Sequence, residues 1–271
     1  MRIALISEHA SPLAPPGGPD SGGQNTHVAA LATALGAAGH EVRVYTRRDD
    51  ADLPERVPMA TNVAVVHVQA GPPTRLPKDD LLPLMGEFGR WLARDWSAGW
   101  VPQVAHAHFW MSGLATLTAA NRVRVPVVQT FHALGSVKRR HQPEADTSPP
   151  QRVGYERILG RHVDRVVAQC GDEVDELLAL GVPRAKIAVV PSGVDTDHFT
   201  PRGPAAERDR RYGRLLVAGR LVERKGLADL VRALPRIPGA EAVLVGGPAG
   251  GPVTADPLAR ELVELADRLG V

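Results

Sequence analysis

Cysteine occurs once, at Cys170, so the chain can form no intramolecular disulfide and no thiolate zinc cage, which fits a reducing compartment. Aromatic residues make up only 4% of the sequence, too few for a stacking platform that reads single-stranded nucleic acid. Charge of one sign is also lacking: 32 Lys and Arg face 30 Asp and Glu, leaving a net +2, and a nucleic-acid partner is not expected. The segment "MRIALISEHASP" carries one basic residue and a four-residue apolar run, short of a signal-peptide core or a membrane span, and a cytoplasmic location is expected. No "GK[ST]" is present, which removes the nucleoside triphosphatase phosphate loop.

What is present is a two-domain α/β pattern. A chain of 271 residues with 44% hydrophobic and 23% charged residues fits two globular domains. Short β-branched runs at 3–6, 41–46, 63–68, 103–108, 125–131, 165–168 and 186–190 read as strands. Helical patterns fall between most of them, at 22–38, 80–98, 112–121, 151–161 and 172–180, with Gly39 and Gly181 as stops. Runs such as "VPVVQTF" are apolar on both faces, as in a parallel sheet covered by helices on each side. Residues 1–194 therefore read as a doubly wound domain and 195–213, rich in Pro, Gly and charge, as a connection. From 214 the alternation restarts with strand 215–218, helix 226–234, strand 242–245 and helix 257–269. Two strands and two helices cannot cover both faces of a parallel sheet, so the second domain is expected to be truncated, part of a longer two-domain protein.

In open α/β sheets ligands collect at the carboxyl ends of the strands. Glu8 and His9 follow the first strand, His108 ends the fourth, His132 follows the fifth, and Arg220 follows the first strand of the second unit. Gly22 and Gly23 precede a helix, which reads either as an anion site on exposed backbone N–H groups or as a plain tight turn. In "LLVAGRLVERKGLADLVRAL", Arg220 and Lys225 bring a planar fork and a mobile point charge to one helix start, equipment suited to a diphosphate; solvated loop cations are the alternative. Asp195-Thr196-Asp197 imitates a metal-holding "DxD" but reads as turn structure. His106 and His108 share a strand face, yet no third metal ligand follows at recognisable spacing, so His106 reads as a core residue, His108 as facing the site, and no metal is expected. Cys170 has no local base and reads as loop structure rather than a nucleophile.

At "GGQNTHV", "TFHALGSVKRRHQ", "PSGVDTDHF" and "VAGRLVERKGLADLV" the chain resembles the retaining glycosyltransferases of the GT-B fold, family four, over its whole length. The resemblance implies two Rossmann-like domains, a nucleotide-diphosphate sugar as co-substrate, and no cofactor or metal. It places Gly22, Gly23, Arg220 and Lys225 at the donor diphosphate and gives His132 the catalytic place beside the anomeric carbon. Positions matching Asn25, Lys78, Phe109, Ala133 and Arg152 surround an acceptor phosphate in the inositol-phosphate branch of the family, with His108 and Lys138 close by. Phe109 replaces a tyrosine there and Ala133 a threonine, each removing a hydroxyl donor, which puts inositol phosphate itself in question while an anionic acceptor stays consistent. The family's "ExxxxxxxE" segment is expected beyond residue 271, so residues 1–271 alone are expected to bind a donor weakly and transfer little.

The reading is thus a retaining transferase acting on a nucleotide sugar and a small or lipid-linked acceptor. A noncatalytic nucleotide-sugar or phosphate-binding module is the alternative if the truncation is natural. A third reading, a membrane-surface adaptor, would use Arg47, Arg48 and Lys138-Arg139-Arg140 against anionic lipid.

Overall fold

The computed structural model describes residues 1–14, 22–144, 146–207, 209, 211–247 and 251–271. Contacts divide the chain into two compact units, the first reaching to Gly193 and the second covering Val194–Val271.

The first unit is built on ten-residue-scale alternation of strand and helix. In chain order come β1 (Arg2–Ile6), α1 (Gly23–Ala37), β2 (Glu41–Arg47), β3 (Arg56–Ala60), β4 (Val63–Val68), a 3-10 turn at Lys78–Leu84 leading into α2 (Met85–Ser97), and β5 (Val104–His108). Then follow α3 (Trp110–Val123), β6 (Val127–Thr130), α4 (Gly135–His141), α5 (Arg152–His162), β7 (Arg165–Ala168), α6 (Gly171–Ala179) and β8 (Ile187–Val189). The strands form one sheet in the order β3-β4-β2-β1-β5-β6-β7-β8, parallel except for β3 against β4.

Side-chain alternation along β1 explains why both faces are covered. Ile3 and Leu5 join Val28 and Ala32 of α1 with Val42, Val44, Val63 and Val65 in one apolar cluster. Ala4 and Ile6 point the other way, into a larger cluster with Phe88, Leu92 and Trp96 of α2 and Trp110, Met111 and Ala115 of α3. Chain order reverses between β1 and β5, and the crevice at a switch point of this kind is where doubly wound sheets bind ligands.

Among the elements that differ from the sequence expectation are β3 and the start of α2. β3 is not among the expected strands; it is an antiparallel edge strand whose register shifts between Pro58 and Ala60, the setting in which a sheet tolerates proline. The helix expected over 80–98 opens as a 3-10 turn containing Pro83 and becomes α-helical only at Met85.

The second unit holds β9 (Gly213–Ala218), α7 (Leu227–Ala233), β10 (Ala240–Val245) and α8 (Pro257–Leu269). β9 and β10 pair in parallel, and Leu227, Val231 and Leu262 form a small core between helices and sheet. Gly219 and Gly246 follow the two strands in tight contact: a Cβ at Gly246 would lie 1.9 Å from the Gly219 carbonyl oxygen.

Candidate functional site

The first-unit residues singled out by sequence gather at the switch point. α1 starts at Gly23, with Gly22 in extended backbone ahead of it, and the turn before it, including Ser21, lies outside the described residues. Among the described residues a Cβ on Gly23 would meet nothing within 4 Å, so none of them demands glycine there. Asn25 closes back on this start, its Oδ1 accepting from the Gly22 N–H at 3.0 Å and its Nδ2 donating to the Ser11 carbonyl at 2.9 Å. Gln24 Nε2 donates to Ser7 Oγ and to the His108 carbonyl, tying α1 to the ends of β1 and β5.

Beside the helix start lies a group of imidazoles. His132 sits just past β6 with φ of 60°, a left-handed conformation that a non-glycine residue holds only under tertiary constraint. Its Nε2 lies 2.9 Å from His108 Nδ1. His106 Nε2 lies 2.8 Å from Thr130 Oγ1, which makes it a satisfied core residue. Burial drives His132 down to about 3 and His106 down to about 4, and holds His108 well below its ordinary value; neighbouring imidazoles push each of them further down. Burial lowers His27 as well. His106 and His132 are therefore uncharged at neutral pH and serve as hydrogen-bond partners, to Thr130 and His108, not as proton reservoirs.

His108, placed by sequence at the acceptor, is fully buried with its Nδ1 against His132 Nε2. His27 was not picked out from sequence, yet its ring centroid lies 5.1 Å from that of His132. The signal was available, since His27 stands four residues after Gly23 and so on the same face of α1 as the helix start.

On the other side of Phe109 lies a cationic group. Lys78 Nζ is 5.4 Å and Arg152 Cζ 5.1 Å from the Phe109 ring centre. Burial lowers Lys78 first; Asp79 opposes that shift, while Lys138 and Arg152 lower it further by repulsion. Three cations thus converge, but two are already balanced. Arg152, 2% exposed, pairs its Nε with Glu156 at 2.8 Å and donates to Ser148 Oγ and the Ala133 carbonyl. Lys138 Nζ lies 3.1 Å from Asp146. Lys78 makes no ion pair among the described residues, which leaves it as the cation with charge to offer. Glu8, 1% exposed and placed by sequence at the end of the first strand without an assigned role, holds His9 at 2.7 Å, and the His9 ring meets Phe109 edge-on at 4.9 Å.

In the second unit Arg220 and Lys225 are exposed on the segment between β9 and α7. Lys225 ends a 3-10 turn at Glu223–Lys225, its Cε 3.8 Å from a Cβ built on Gly219. It does not open the helix, as expected from sequence: Gly226 in left-handed backbone intervenes and α7 begins at Leu227. Neither cation forms an ion pair among the described residues.

The remaining candidates resolve structurally. Asp195 Oδ1 accepts from the Asp197 and His198 N–H groups at 3.0 Å, a side-chain-closed turn. Cys170 is exposed at the start of α6. Arg47 is buried and donates to the Ala70, Pro72 and Thr74 carbonyls, Arg48 to those of Ala51 and Leu53. Arg139 approaches Asp146 and Arg140 pairs with Glu176. The cations on which a membrane adaptor would rest are therefore engaged internally, Arg47 and Arg48 by backbone carbonyls and the 138–140 run by Asp146 and Glu176. No described helix is long and apolar enough to cross a membrane.

Residues 21–198 match the family model described as Glycosyltransferase Family 4. A D-inositol 3-phosphate glycosyltransferase of Xylanimonas cellulosilytica is 37% identical over 287 aligned residues, spanning the whole of this chain and 68% of that protein. One from Actinosynnema mirum is 38% identical, again over the whole chain and 68% of the relative. Among solved structures, a sucrose-phosphate synthase from Thermosynechococcus elongatus superposes with a TM-score of 0.81 at 28% identity, covering 99% of this chain and 68% of that one. With the family model matching about two thirds of its length and relatives 37–38% identical over all of it, the chain belongs to the family 4 glycosyltransferases, whose GT-B fold its two α/β units share.

Proposed function

We propose that the protein transfers a glycosyl unit from a nucleotide-diphosphate sugar to a small phosphorylated acceptor, with retention of configuration and without a metal or cofactor. The observation that carries this reading is Lys78: a half-buried cation without an ion-pair partner among the described residues, set against Phe109 at the sheet's switch point. A buried cation of this kind is stabilised by an incoming anion, and a phosphate returns more hydrogen bonding than any neutral group. The relatives' names support the same class, since two act on an inositol phosphate.

In this reading the start of α1 at Gly22 and Gly23 receives donor phosphate oxygens, and Arg220 and Lys225 hold the diphosphate as charge builds on the leaving group. Neutral His132, aligned by His108, hydrogen-bonds the donor sugar next to the anomeric carbon. Among the described residues no carboxylate stands beside His132 as a ready nucleophile, so attack from the leaving-group side is favoured, with the departing phosphate oxygen taking the acceptor proton. Isolation of a covalent glycosyl-enzyme would overturn that route.

Two measurements test the assignment. Lys78→Met is expected to raise KM for a phosphorylated acceptor by about 10–100-fold with kcat little changed, the worth of one charged hydrogen bond. An unchanged KM would remove the acceptor assignment. Arg220→Ala and Lys225→Ala are each expected to lower turnover on the order of 10²–10³-fold, by analogy with the loss of other preorganised charge stabilisers. Turnover within twofold of the parent in both would exclude the diphosphate clamp.

A further inference from the structure

His27, His108 and His132 come from three separate elements: α1, the last residue of β5, and the segment just past β6. One ring nitrogen from each lies within 4.8 Å of one from each of the others. A tetrahedral zinc with bonds of about 2.0–2.1 Å holds its imidazole nitrogens about 3.3 Å apart, so closure needs a shift on the order of 1 Å. His27 is able to make it, because it is half-buried and projects from a helix, while His108 and His132 are already 2.9 Å apart. His108 is fully buried; its Nδ1 faces His132, and its other ring nitrogen, Nε2, has no hydrogen-bond partner among the described residues.

We infer that these three imidazoles form a binding site for a zinc-class transition-metal ion, and that the ion and the donor sugar compete for His132. The donor set is imidazole alone, with no carboxylate in the triad, which suits zinc, copper or nickel and not magnesium or calcium. Three histidines leave a fourth coordination position for water. The competition rests on the reading of His132 given above; the metal site does not. Transfer needs no metal in that reading, so occupancy is inhibitory, a way for metal excess to silence the enzyme at the histidine that aligns the sugar.

X-ray absorption at the zinc edge, on chelator-treated protein given one equivalent of Zn2+, is expected to show three imidazole ligands; fewer than three, or a mixed shell such as Glu8 with His9 would provide, overturns the site. His27→Gln is expected to weaken Zn2+ binding at least about tenfold in a calorimetric titration, with His141→Gln on the surface as control. Equal affinity in His27→Gln and parent overturns the site too. The ligand count comes from the parent protein, so it stands whether or not the variant folds. Saturating nucleotide-diphosphate sugar is expected to raise the apparent Kd for Zn2+ at least about tenfold. An unchanged Kd beside an intact three-imidazole shell overturns the competition and the placement of the sugar at His132, and leaves the metal site in place.

Discussion

Arg152→Met is expected to lower the stability of the first unit by about 3–5 kcal/mol, the usual cost of removing one partner of a buried ion pair. The side chain is threaded through the protein: Nε to Glu156 at 2.8 Å, Nη1 to Ser148 Oγ at 3.0 Å and Nη2 to the Ala133 carbonyl at 2.6 Å. Its partner is no less committed. Glu156 is fully buried and accepts from the Gly135 N–H with both carboxylate oxygens, at 3.0 and 2.9 Å. Burial already pushes the Glu156 carboxyl up, against the pull of Arg152 and Gly135, so loss of the guanidinium drives it towards the neutral acid. Gly135 belongs to the same arrangement, since a Cβ there would press on the Arg152 side chain at 3.0 Å. Urea denaturation of the variant measures the loss, and an unfolding free energy within 1 kcal/mol of the parent would refute the anchoring role. The double variant Arg152→Met with Glu156→Met is expected to recover much of the stability, because a hydrophobic pair of similar volume removes the stranded charge. This separates anchoring from any contribution to acceptor binding, which the double variant would not restore.

Acid is expected to destabilise the metal-free protein from about pH 6.5 downward, well before ordinary carboxylates titrate. His106, His108 and His132 are all held below their unfolded value near 6.5, chiefly by burial. The unfolded chain therefore binds more protons than the folded one as pH falls. The stabilisation is complete above the unfolded value and is lost through the window down to about 4 for His106 and about 3 for His132. Each buried imidazole contributes up to roughly 1.4 kcal/mol per pH unit, so the three together remove on the order of 5 kcal/mol between pH 7 and pH 5. Glu156 and Glu173, raised by burial, act with the opposite slope just above the ordinary glutamate range and moderate the loss there. Thermal melts in chelator at pH 7.5, 6.0 and 5.0 measure the effect; a constant Tm across them would show that the imidazoles are not buried as a group. His106→Gln is expected to flatten the curve by one imidazole's share, since Thr130 Oγ1 retains a partner of similar reach.

Elements with complete local signals were legible in the sequence. The helix expected over 257–269 forms over Pro257–Leu269, because every instruction is present: Asp256 caps the Ala259 N–H at 3.1 Å, Pro257 opens the first turn, and Gly270 takes the left-handed conformation that ends it. The parallel core strands were equally readable as apolar runs between turn signals. α4 was not, since "GSVKRRH" is short and strongly basic; the helix is held by distant carboxylates, Glu156 at its Gly135 N–H and Glu176 at Arg140. Its Lys138, Arg139 and Arg140 therefore read as a free basic face in one dimension and in three stand against Asp146 and Glu176.

The amino-acid pattern by itself determined the α/β class and the strand ends at which polar residues collect, since both follow from periodicity and local backbone chemistry, while four short motifs carried the resemblance to the family. Only the tertiary structure decided which polar groups are satisfied. It took Arg152, Asn25 and the basic run at 138–140 into internal pairs, left Lys78 with charge to offer, and drew His27 from α1 to the imidazoles of β5 and β6. Partnership between residues as far apart in sequence as His27 and His132 depends on strand order and crossover, and the desolvation that neutralises the histidines depends on what finally packs around them.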